Sequence, residues 1–197
     1  MEALELTRRA TRGAHGRLDR RLRFEGAAVT LERYVAYLQR MAPVVAEADA
    51  RMNGRPDLLR CLPDAAARAK VPWLLQDLDD LSARPHAGPV GLPAARDLPS
   101  LFGTLYVIEG STLGGAVLAR RVEAALGPVP TRYLRAYGER PGEMWRSFCA
   151  GMEAAARDEA SRRRVAIAAV ETFETIERWL AGGGLLEEEL NRGSDPS

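Results

Sequence analysis

Two histidines occur in this chain of 197 residues, and one of them stands in a context suited to metal binding. Helical periodicity predicts an amphipathic helix over residues 3–23, with His15 on its apolar stripe. Asp19 lies one turn later, where its carboxylate can accept a hydrogen bond from the imidazole and orient the ring. Arg8 and Arg12 reach the same side of this helix. The segment therefore predicts an axial-type metal ligand, His15, with an orienting acid and cations beside it.

Arginines dominate the remainder of this first helix. Seven of them lie between residues 8 and 23, and Asp19 is the one acidic residue in that interval. Such a cluster favours an anionic partner that carries carboxylates or phosphates. A solvated charged face is the alternative for the arginines, and a half-buried histidine on an amphipathic helix is the alternative for His15. The residues by themselves leave both alternatives open.

A second unusual segment is a glycine-bearing helix predicted over residues 98–127. Asp97 caps its start, and Gly127 followed by proline ends it. The interior glycines are Gly103, Gly110, Gly114 and Gly115. Each one forgoes roughly 0.8–1.0 kcal/mol of helix stability relative to alanine, so another interaction must offset the loss.

Two explanations for these glycines remain open at this point. Gly103, Gly110 and Gly114 fall on one face of the helix, with Ser111 beside them. A stripe of small residues lets a second helix approach closely. A nearly bare backbone surface also accommodates a broad planar ligand that any Cβ would push away.

The remaining elements are also predicted to be helical. A helix begins near Thr30, short helical segments cover 64–70 and 72–81, and a proline- and glycine-rich connector covers 82–98, while residues 53–63 read as turns. Later segments are a short helix over 131–137, a longer one over 143–160 and a last helix capped by Ser161. No stretch alternates with a period of two residues. We therefore expect an all-α, single-domain fold of about seven to nine helices over residues 1–184, with 185–197 as a frayed tail.

Composition and motifs argue against several classes of protein. The net charge of +1 argues against a nucleic-acid partner, and without a run of 18 apolar residues no membrane partner is expected. Nucleotide-binding glycine loops, zinc-protease motifs and serine-hydrolase motifs do not occur. Cys61 and Cys149 lack metal-site spacing and are expected to be core thiols, and His86 is expected to be an exposed loop residue. The first residues contain no apolar signal core, so a cytoplasmic location is expected.

Two motifs resemble those of a known family. Residues 105–115, LYVIEGSTLGG, closely resemble the distal-helix motif of bacterial haem oxygenases, in particular of the branch whose biliverdin serves bacteriophytochromes. Residues 11–19, with Thr, His, Leu and Asp in the pattern TxxxHxxLD, resemble the proximal segment that carries the haem-ligating histidine. Weaker similarities occur at Tyr137-Gly138, at Trp145 with Phe148, at Thr172-Phe173 and at Trp179-Leu180. The resemblance thus extends over nearly the whole chain.

This resemblance implies a role for each matching residue. His15 is expected to be the proximal iron ligand, with Asp19 holding its ring tautomer. The distal wall, where backbone contacts the porphyrin and leaves room for O2, is expected at Gly110, Gly114 and Gly115. The propionates are expected to bind Arg8 and Arg12, with Arg146 and Tyr133 as further candidates.

Ser111 departs from the pattern of many family members. They carry an Asp immediately after the first distal glycine, where it organises the water molecules that deliver protons to bound oxygen. A hydroxyl relays a proton but holds no charge, so proton delivery is expected to rely more on ordered water. The phytochrome-associated branch resembles this chain in having Ser at that position.

The resemblance implies an enzyme that cleaves haem with O2 to biliverdin, carbon monoxide and ferrous iron, haem being both cofactor and substrate. A reductase or a ferredoxin is the expected electron donor, and a bacteriophytochrome is an expected recipient of the biliverdin. One alternative is a haem carrier or sensor of the same fold with little turnover, which Ser111 favours. Another alternative is a thiamin-degrading hydrolase on a similar helical fold, with Cys149 as its nucleophile.

Overall fold

A computed structural model describes residues 2–22, 24 and 28–185 of the chain. Within these residues, the backbone forms seven α-helices and a short 3₁₀ helix, without β-strands. The helices are α1 (Glu2–Leu22), α2 (Leu31–Met52), α3 (Pro56–Cys61), α4 (Val71–Asp80), α5 (Leu98–Leu126), α6 (Pro141–Ala155) and α7 (Glu159–Ala181), and the 3₁₀ helix is Ala65–Arg68. The prediction of an all-α fold is confirmed. The predicted tail lies outside the described residues beyond residue 185.

Helix starts follow the capping residues that the sequence contains. The Thr30 hydroxyl accepts a hydrogen bond from the backbone N–H of Arg33 at 3.2 Å, and α2 begins at the next residue. Asp97 caps α5 by accepting from the N–H of Ser100 at 2.8 Å. Gly127 ends α5 with a φ of +79°, a backbone conformation that glycine adopts without strain. The predicted bounds of the glycine-bearing helix are therefore confirmed.

Three local predictions are wrong. Residues 56–61 form the short helix α3 inside the stretch predicted as turns, because Pro56 fits a first helical turn. Residues 132–139 form turns instead of a helix. Helix α6 ends at Ala155, and the cap of α7 is Asp158, whose carboxylate accepts from the N–H of Ser161 at 2.7 Å.

Helices α1 and α5 both pack against α7 and run parallel to it. The contacts of α1 join Glu2 to Arg162, His15 to Phe173 and Arg17 to Glu177. The contacts of α5 join Asp97 to Arg164, Gly103 to the backbone of Val165 and Thr104 to Thr172. Because residue numbers rise together in both sets, α7 serves as a common reference for positions along α1 and α5.

Helix α5 forms the centre of the core. Its first half is buried on most sides, and its residues contribute to both hydrophobic clusters of the protein. Among the described helices, α5 alone is long and apolar enough to cross a membrane by length and composition, and most of that apolar stretch is buried inside the protein.

Candidate functional site

His15 and Asp19 form the pair that the helical spacing predicts. The His15 Nδ1 atom lies 3.1 Å from the Asp19 Oδ2 atom, and the His15 side chain is 60% exposed. The hydrogen bond that His15 donates to Asp19 raises the pKa of His15 above its usual value, although partial burial opposes this effect. Because Nδ1–H donates to the carboxylate, the lone pair of Nε2 remains available to a metal.

The cations of α1 divide between two sides of the helix. Arg8 and Arg12 are exposed on the flank that carries His15. On the other side, Arg17 and Arg21 both bind the carboxylate of Glu177 on α7, with Arg21 Nη1 at 2.7 Å from its Oε1. The structure therefore brings Arg8 and Arg12 to the His15 flank, whereas Arg17 and Arg21 fasten α1 to α7.

The glycines of α5 also divide into two groups. A Cβ added to Gly103 would lie 2.4 Å from the carbonyl oxygen of Val165, and one added to Gly115 would lie 2.2 Å from that of Leu134. These two glycines permit close packing, as the small-residue explanation predicts. Gly115, one of the expected distal-wall residues, is buried and packs against the backbone of Leu134.

Gly110 and Gly114, in contrast, need no such explanation from packing. A Cβ added to Gly114 meets no neighbouring atom within 4 Å, and one added to Gly110 makes an ordinary 3.7 Å contact with the Trp145 ring. Leu113 and Val117 beside them are exposed large apolar side chains. This stretch of α5 thus presents an open surface of backbone and apolar side chains.

The exposed surface of α5 begins after its first half. Thr104 is buried where its hydroxyl meets Thr172 of α7, and Val107 is buried in the core. Seven residues later, on nearly the same sides of the helix, Ser111 and Gly114 are exposed. The cover over this side of α5 therefore ends between Val107 and Ser111.

His15 is linked to the glycine-bearing helix through α7. Its ring packs against Phe173, which follows Thr172, the residue that contacts Thr104 of α5. The glycines 110 and 114 lie within about three turns of Thr104 along the helix. Glu153 of α6 accepts from the N–H groups of Ala3 and Leu4 at the start of α1. The exposed imidazole and the open glycines thus lie on two helices that both pack against α7.

Aromatic rings lie beside both the open glycines and His15. Trp145, near the start of α6, lies against Gly110 and has its ring centroid 5.6 Å from that of Tyr106. Phe173 meets the imidazole edge-on, with centroids 5.6 Å apart. In the sequence, Trp145 and Phe173 belong to helical apolar stripes. Such a pattern does not distinguish residues that line a binding site from residues of the core.

The other predicted site residues are placed as follows. Ser111 is exposed beside the open glycines, and its hydroxyl donates to the carbonyl of Ile108 at 2.8 Å. Arg146 is exposed one residue after Trp145. Tyr133 lies in the core instead of on the exposed flank, and burial raises the pKa of its phenol well above the usual value. Ser111 is thus exposed next to the open glycines, whereas Tyr133 is buried in the core.

Cys149 and His86 have the burial that the sequence predicts. Cys149 is buried and free, and burial raises the pKa of its thiol to about 11, which disfavours a nucleophilic thiolate. His86 is exposed, but its ring is fixed edge-on to Trp179 at a centroid distance of 5.2 Å. In the described part of the chain, no three His, Cys, Asp or Glu side chains form a metal-binding cluster.

A separate concavity of about 800 Å³ lies between α4 and residues 128–138. Its guanidinium groups are already paired, Arg132 with Asp80 at 2.6 Å and Arg135 with Glu123 at 2.6 Å. The carboxylates on its rim neutralise these cations. This concavity therefore lacks the free cations that an anionic ligand needs, unlike the flank with Arg8 and Arg12.

Comparisons with known proteins identify the fold. The structure resembles the NO- and CO-bound haem oxygenase of Neisseria meningitidis with a TM-score of 0.79 and 23% sequence identity, over 98% of both chains. The chain has the haem oxygenase fold. A family model described as Heme oxygenase matches residues 91–182, which include α5, α6 and α7. No curated protein matches the sequence.

Within the haem oxygenase fold of this chain, one charged cluster was missed by the sequence analysis. Glu109 is buried with Arg68 and Lys70, directly before the first open glycine. A lone acidic residue inside the apolar segment LYVIEG is the signal that indicates a buried carboxylate. Its partners lie about 40 residues away, where no local pattern identifies them.

Proposed function

We propose that this protein is a haem oxygenase, which cleaves haem with O2 and external electrons to biliverdin, carbon monoxide and ferrous iron. The observation that carries the proposal is a pair of open positions on two helices that pack against α7, the exposed Nε2 edge of His15 and the backbone of Gly110 and Gly114, and we place the haem cleft between them. The shared fold and the family match over residues 91–182 support it.

On the α1 side of the proposed cleft, His15 would hold the haem iron through Nε2. A porphyrin brings four nitrogen ligands of its own, so a single exposed imidazole suffices as the protein ligand. Asp19 holds the Nδ1–H tautomer and keeps the ring oriented. A neutral imidazole keeps the iron suited to bind O2 and lacks the strong electron donation of a thiolate.

On the α5 side, the residues supply shape more than charge. Gly110 and Gly114 let the helix backbone approach a flat ring, and Leu113 and Val117 offer it apolar contacts. Trp145 closes the end of this surface next to Gly110. The glycine face would form the wall beside the O2 site, with helix backbone and no side chain at Gly110 and Gly114.

The polar groups of the cleft account for binding and proton supply. The exposed guanidinium groups of Arg8 and Arg12 on α1, together with that of Arg146 on α6, would bind the propionates. Ser111 passes protons from solvent to the oxygen site. To do so, its hydroxyl donates to water in place of the Ile108 carbonyl. The haem supplies the oxidation chemistry, while these residues bind, orient and hydrate it.

The test is a titration of the purified protein with haemin, followed by addition of ascorbate or a ferredoxin reducing system in air. We expect a Soret band typical of histidine-ligated haem, and then its replacement by verdohaem and biliverdin absorption with release of carbon monoxide. Failure to bind haemin would overturn the proposal. Substitution of His86, the other histidine, by alanine serves as the matched control and leaves both stages unchanged.

A haem carrier or sensor is the second candidate, and the Ser111 geometry favours it. The Ser111 hydroxyl already donates to Ile108, and no carboxylate stands in its place to hold a proton-delivering water. Stable bound haem in the presence of O2 and reductant would establish this second candidate.

The destination of the biliverdin is a further part of the proposal. The segment LYVIEGSTLGG resembles the branch that supplies bacteriophytochromes, so we propose a bacteriophytochrome as the acceptor. Its test is a coupled assay in which apo-bacteriophytochrome, added to the running reaction, acquires its red absorption band. Unchanged photoreceptor absorption despite biliverdin formation would contradict this destination alone.

A further inference from the structure

Glu109 is a buried carboxylate that joins two cations at the back of the glycine face. Its side chain is 3% exposed, and those of Arg68 and Lys70 are 0% and 2% exposed. Arg68 Nη1 lies 2.5 Å from Glu109 Oε2, and Lys70 Nζ donates to Oε1. The mechanism proposed above assigns no role to any of these three residues.

Two further residues complete the cluster. The Tyr137 hydroxyl donates to Glu109 Oε1 at 2.8 Å and accepts from Lys70 Nζ at 2.8 Å. Asp64 binds the other edge of the Arg68 guanidinium, at 2.9 and 2.8 Å. Each of these polar groups therefore has a specific partner, so the cluster has one favoured geometry.

Tyr137 reaches Glu109 from a strained backbone. Its φ is +71°, in the left-handed region that bulky side chains rarely adopt. Burial and the neighbouring Glu109 carboxylate raise the pKa of its phenol far above the usual value, so the hydroxyl stays a donor. Such strain persists where the surrounding contacts determine the conformation, here the ring between Lys70 and Glu109.

The segment 131–138 supports α5 at two points that flank the open glycines. Tyr137 contacts Glu109 before them, and the Leu134 carbonyl packs against Gly115 after them. Asp77 fixes the segment in turn, by accepting from the N–H groups of Arg132 and Tyr133 at 3.1 and 2.9 Å. Between the two points, Gly110 and Gly114 have no side chain that could hold the helix in place.

A buried charge cluster is a poor source of stability by itself. Apolar side chains of similar volume often stabilise a fold as well as a buried ion pair does, whereas ion pairs can specify one arrangement. Here the charged arrangement lies directly beside the residues that line the cleft. This placement indicates a role in the geometry of the glycine face.

We propose that Glu109 is a positioning residue for the distal side of the haem cleft. Through Arg68, Lys70 and Tyr137, it holds the backbone of residues 110–115 against segment 131–138, and so sets the distance between the glycine face and the haem. The link to haem chemistry rests on the function proposed above. The immobilisation of the glycine face is a property of the haem-free protein.

The first measurement is amide hydrogen exchange of the haem-free protein with Glu109→Gln and Tyr137→Phe. We expect exchange of residues 110–115 to accelerate at least tenfold in Glu109→Gln and less in Tyr137→Phe, with α7 amides unchanged. Glu153→Gln, which alters a carboxylate that caps α1, is the matched control and leaves residues 110–115 unchanged. Equal acceleration throughout α5 and α7 would mean general destabilisation and would overturn the proposal, as would unchanged exchange at 110–115.

The second measurement follows haem bound to the same variants. We expect the pH midpoint of the absorption change of ferric haem to shift in Glu109→Gln, because the distal space changes, while the histidine-type Soret band is retained. An unshifted midpoint beside accelerated exchange would overturn the link to haem chemistry. If Glu109→Gln does not fold, Tyr137→Phe decides both measurements, since it removes one hydroxyl.

The two proposals fail in different ways. Wild-type protein that binds no haemin would overturn the haem oxygenase proposal, and the exchange data would still decide whether Glu109 holds the glycine face. Haem turnover with unaltered exchange in both variants would overturn the role of Glu109 alone.

Discussion

The imidazole of His15 meets the ring of Phe173 edge-on, with centroids 5.6 Å apart and an angle of 76° between the ring planes. Edge-to-face geometry is the arrangement that aromatic quadrupoles favour. Phe173 is buried in α7, the helix that also contacts α5 at Thr104 through Thr172. The proposed iron ligand is therefore positioned by the same helix that positions the glycine-bearing wall.

The first prediction concerns the iron ligand. His15→Ala removes the imidazole from the cleft, so the Soret band of histidine-ligated haem should disappear. Helical content should be retained, because the His15 side chain is largely exposed and alanine is a better helix former. Absorption spectra with haemin and far-ultraviolet circular dichroism measure both effects.

The control for this prediction is His86→Ala, which removes the other histidine. His86 lies in the connector before α5 and packs against Trp179 of α7. Its loss should leave the haem spectrum unchanged. An unaltered Soret band in His15→Ala, or its loss in His86→Ala, would reject His15 as the ligand.

The second prediction concerns the protonation of His15 in the haem-free protein. The hydrogen bond that His15 donates to Asp19 raises the pKa of His15 above 6.5, so Asp19→Asn should lower it. The ion pair of His15 with Asp19 makes its full contribution to stability below pH 6.5. This contribution disappears as the pH rises through the raised pKa of His15. Iron competes with the proton for the imidazole, so haem affinity should fall at a lower pH in Asp19→Asn than in the wild type.

Proton NMR titration of the His15 ring, assigned by comparison with His15→Ala, measures this shift. Haemin titrations between pH 5 and pH 8 then give the affinity. An unchanged His15 pKa in Asp19→Asn would show that the carboxylate does not control the ring.

Interactions between residues close together in the chain could be predicted from the sequence. The caps at Thr30 and Asp97 and the pair of His15 with Asp19 join residues within about one turn, and helical spacing alone identified them. The all-α fold followed from the period of the apolar residues. These features depend on backbone geometry that the sequence expresses directly.

The features that were missed depend on contacts between distant segments. Gly114 and Gly115 are adjacent and chemically identical, yet one is open and the other packs against Leu134. The lone Glu109 indicates a buried charge, but Arg68 and Lys70 lie about 40 residues earlier in the chain. Segment 131–138 has helix-forming residues, and its hydrogen bonds to Asp77 stabilise turns instead.

The third prediction concerns the attachment of α1 to α7. Burial of Glu177 opposes its ionisation, but hydrogen bonds from Arg17 and Arg21 outweigh this effect and lower its pKa. The resulting stability is present above pH 4.5, the usual value, and is lost as the pH falls through the lowered value. Glu177→Gln should lower the free energy of unfolding by about 2 kcal/mol at pH 7.

Urea unfolding at pH 7 and near pH 3 tests this prediction. The difference between wild type and Glu177→Gln should shrink at the lower pH, because the wild-type carboxylate is then protonated too. A difference of equal size at both pH values would show that charge at Glu177 contributes little.

The fourth prediction separates the two roles of the α5 glycines. Gly114→Ala should raise the free energy of unfolding by up to about 1 kcal/mol, since the added methyl group enters open space and alanine favours the helix. Gly115→Ala should lower it by about 1–3 kcal/mol, because its Cβ would lie 2.2 Å from the rigid Leu134 carbonyl oxygen. Thermal or urea unfolding measures both values.

A larger side chain at Gly114 should lower haem turnover, whereas alanine at the same position should raise stability. Gly114→Leu adds a branched side chain where the glycine face meets the ring, so the variant should fold normally and lose most of its haem turnover. Ile167→Leu, a change on the exposed side of α7, is the control and should leave turnover unchanged. Ile167 is exposed and lies on neither α1 nor α5. Wild-type turnover in Gly114→Leu would show that Gly114 is an ordinary surface position. It would also reject the assignment of this face of α5 as the distal wall.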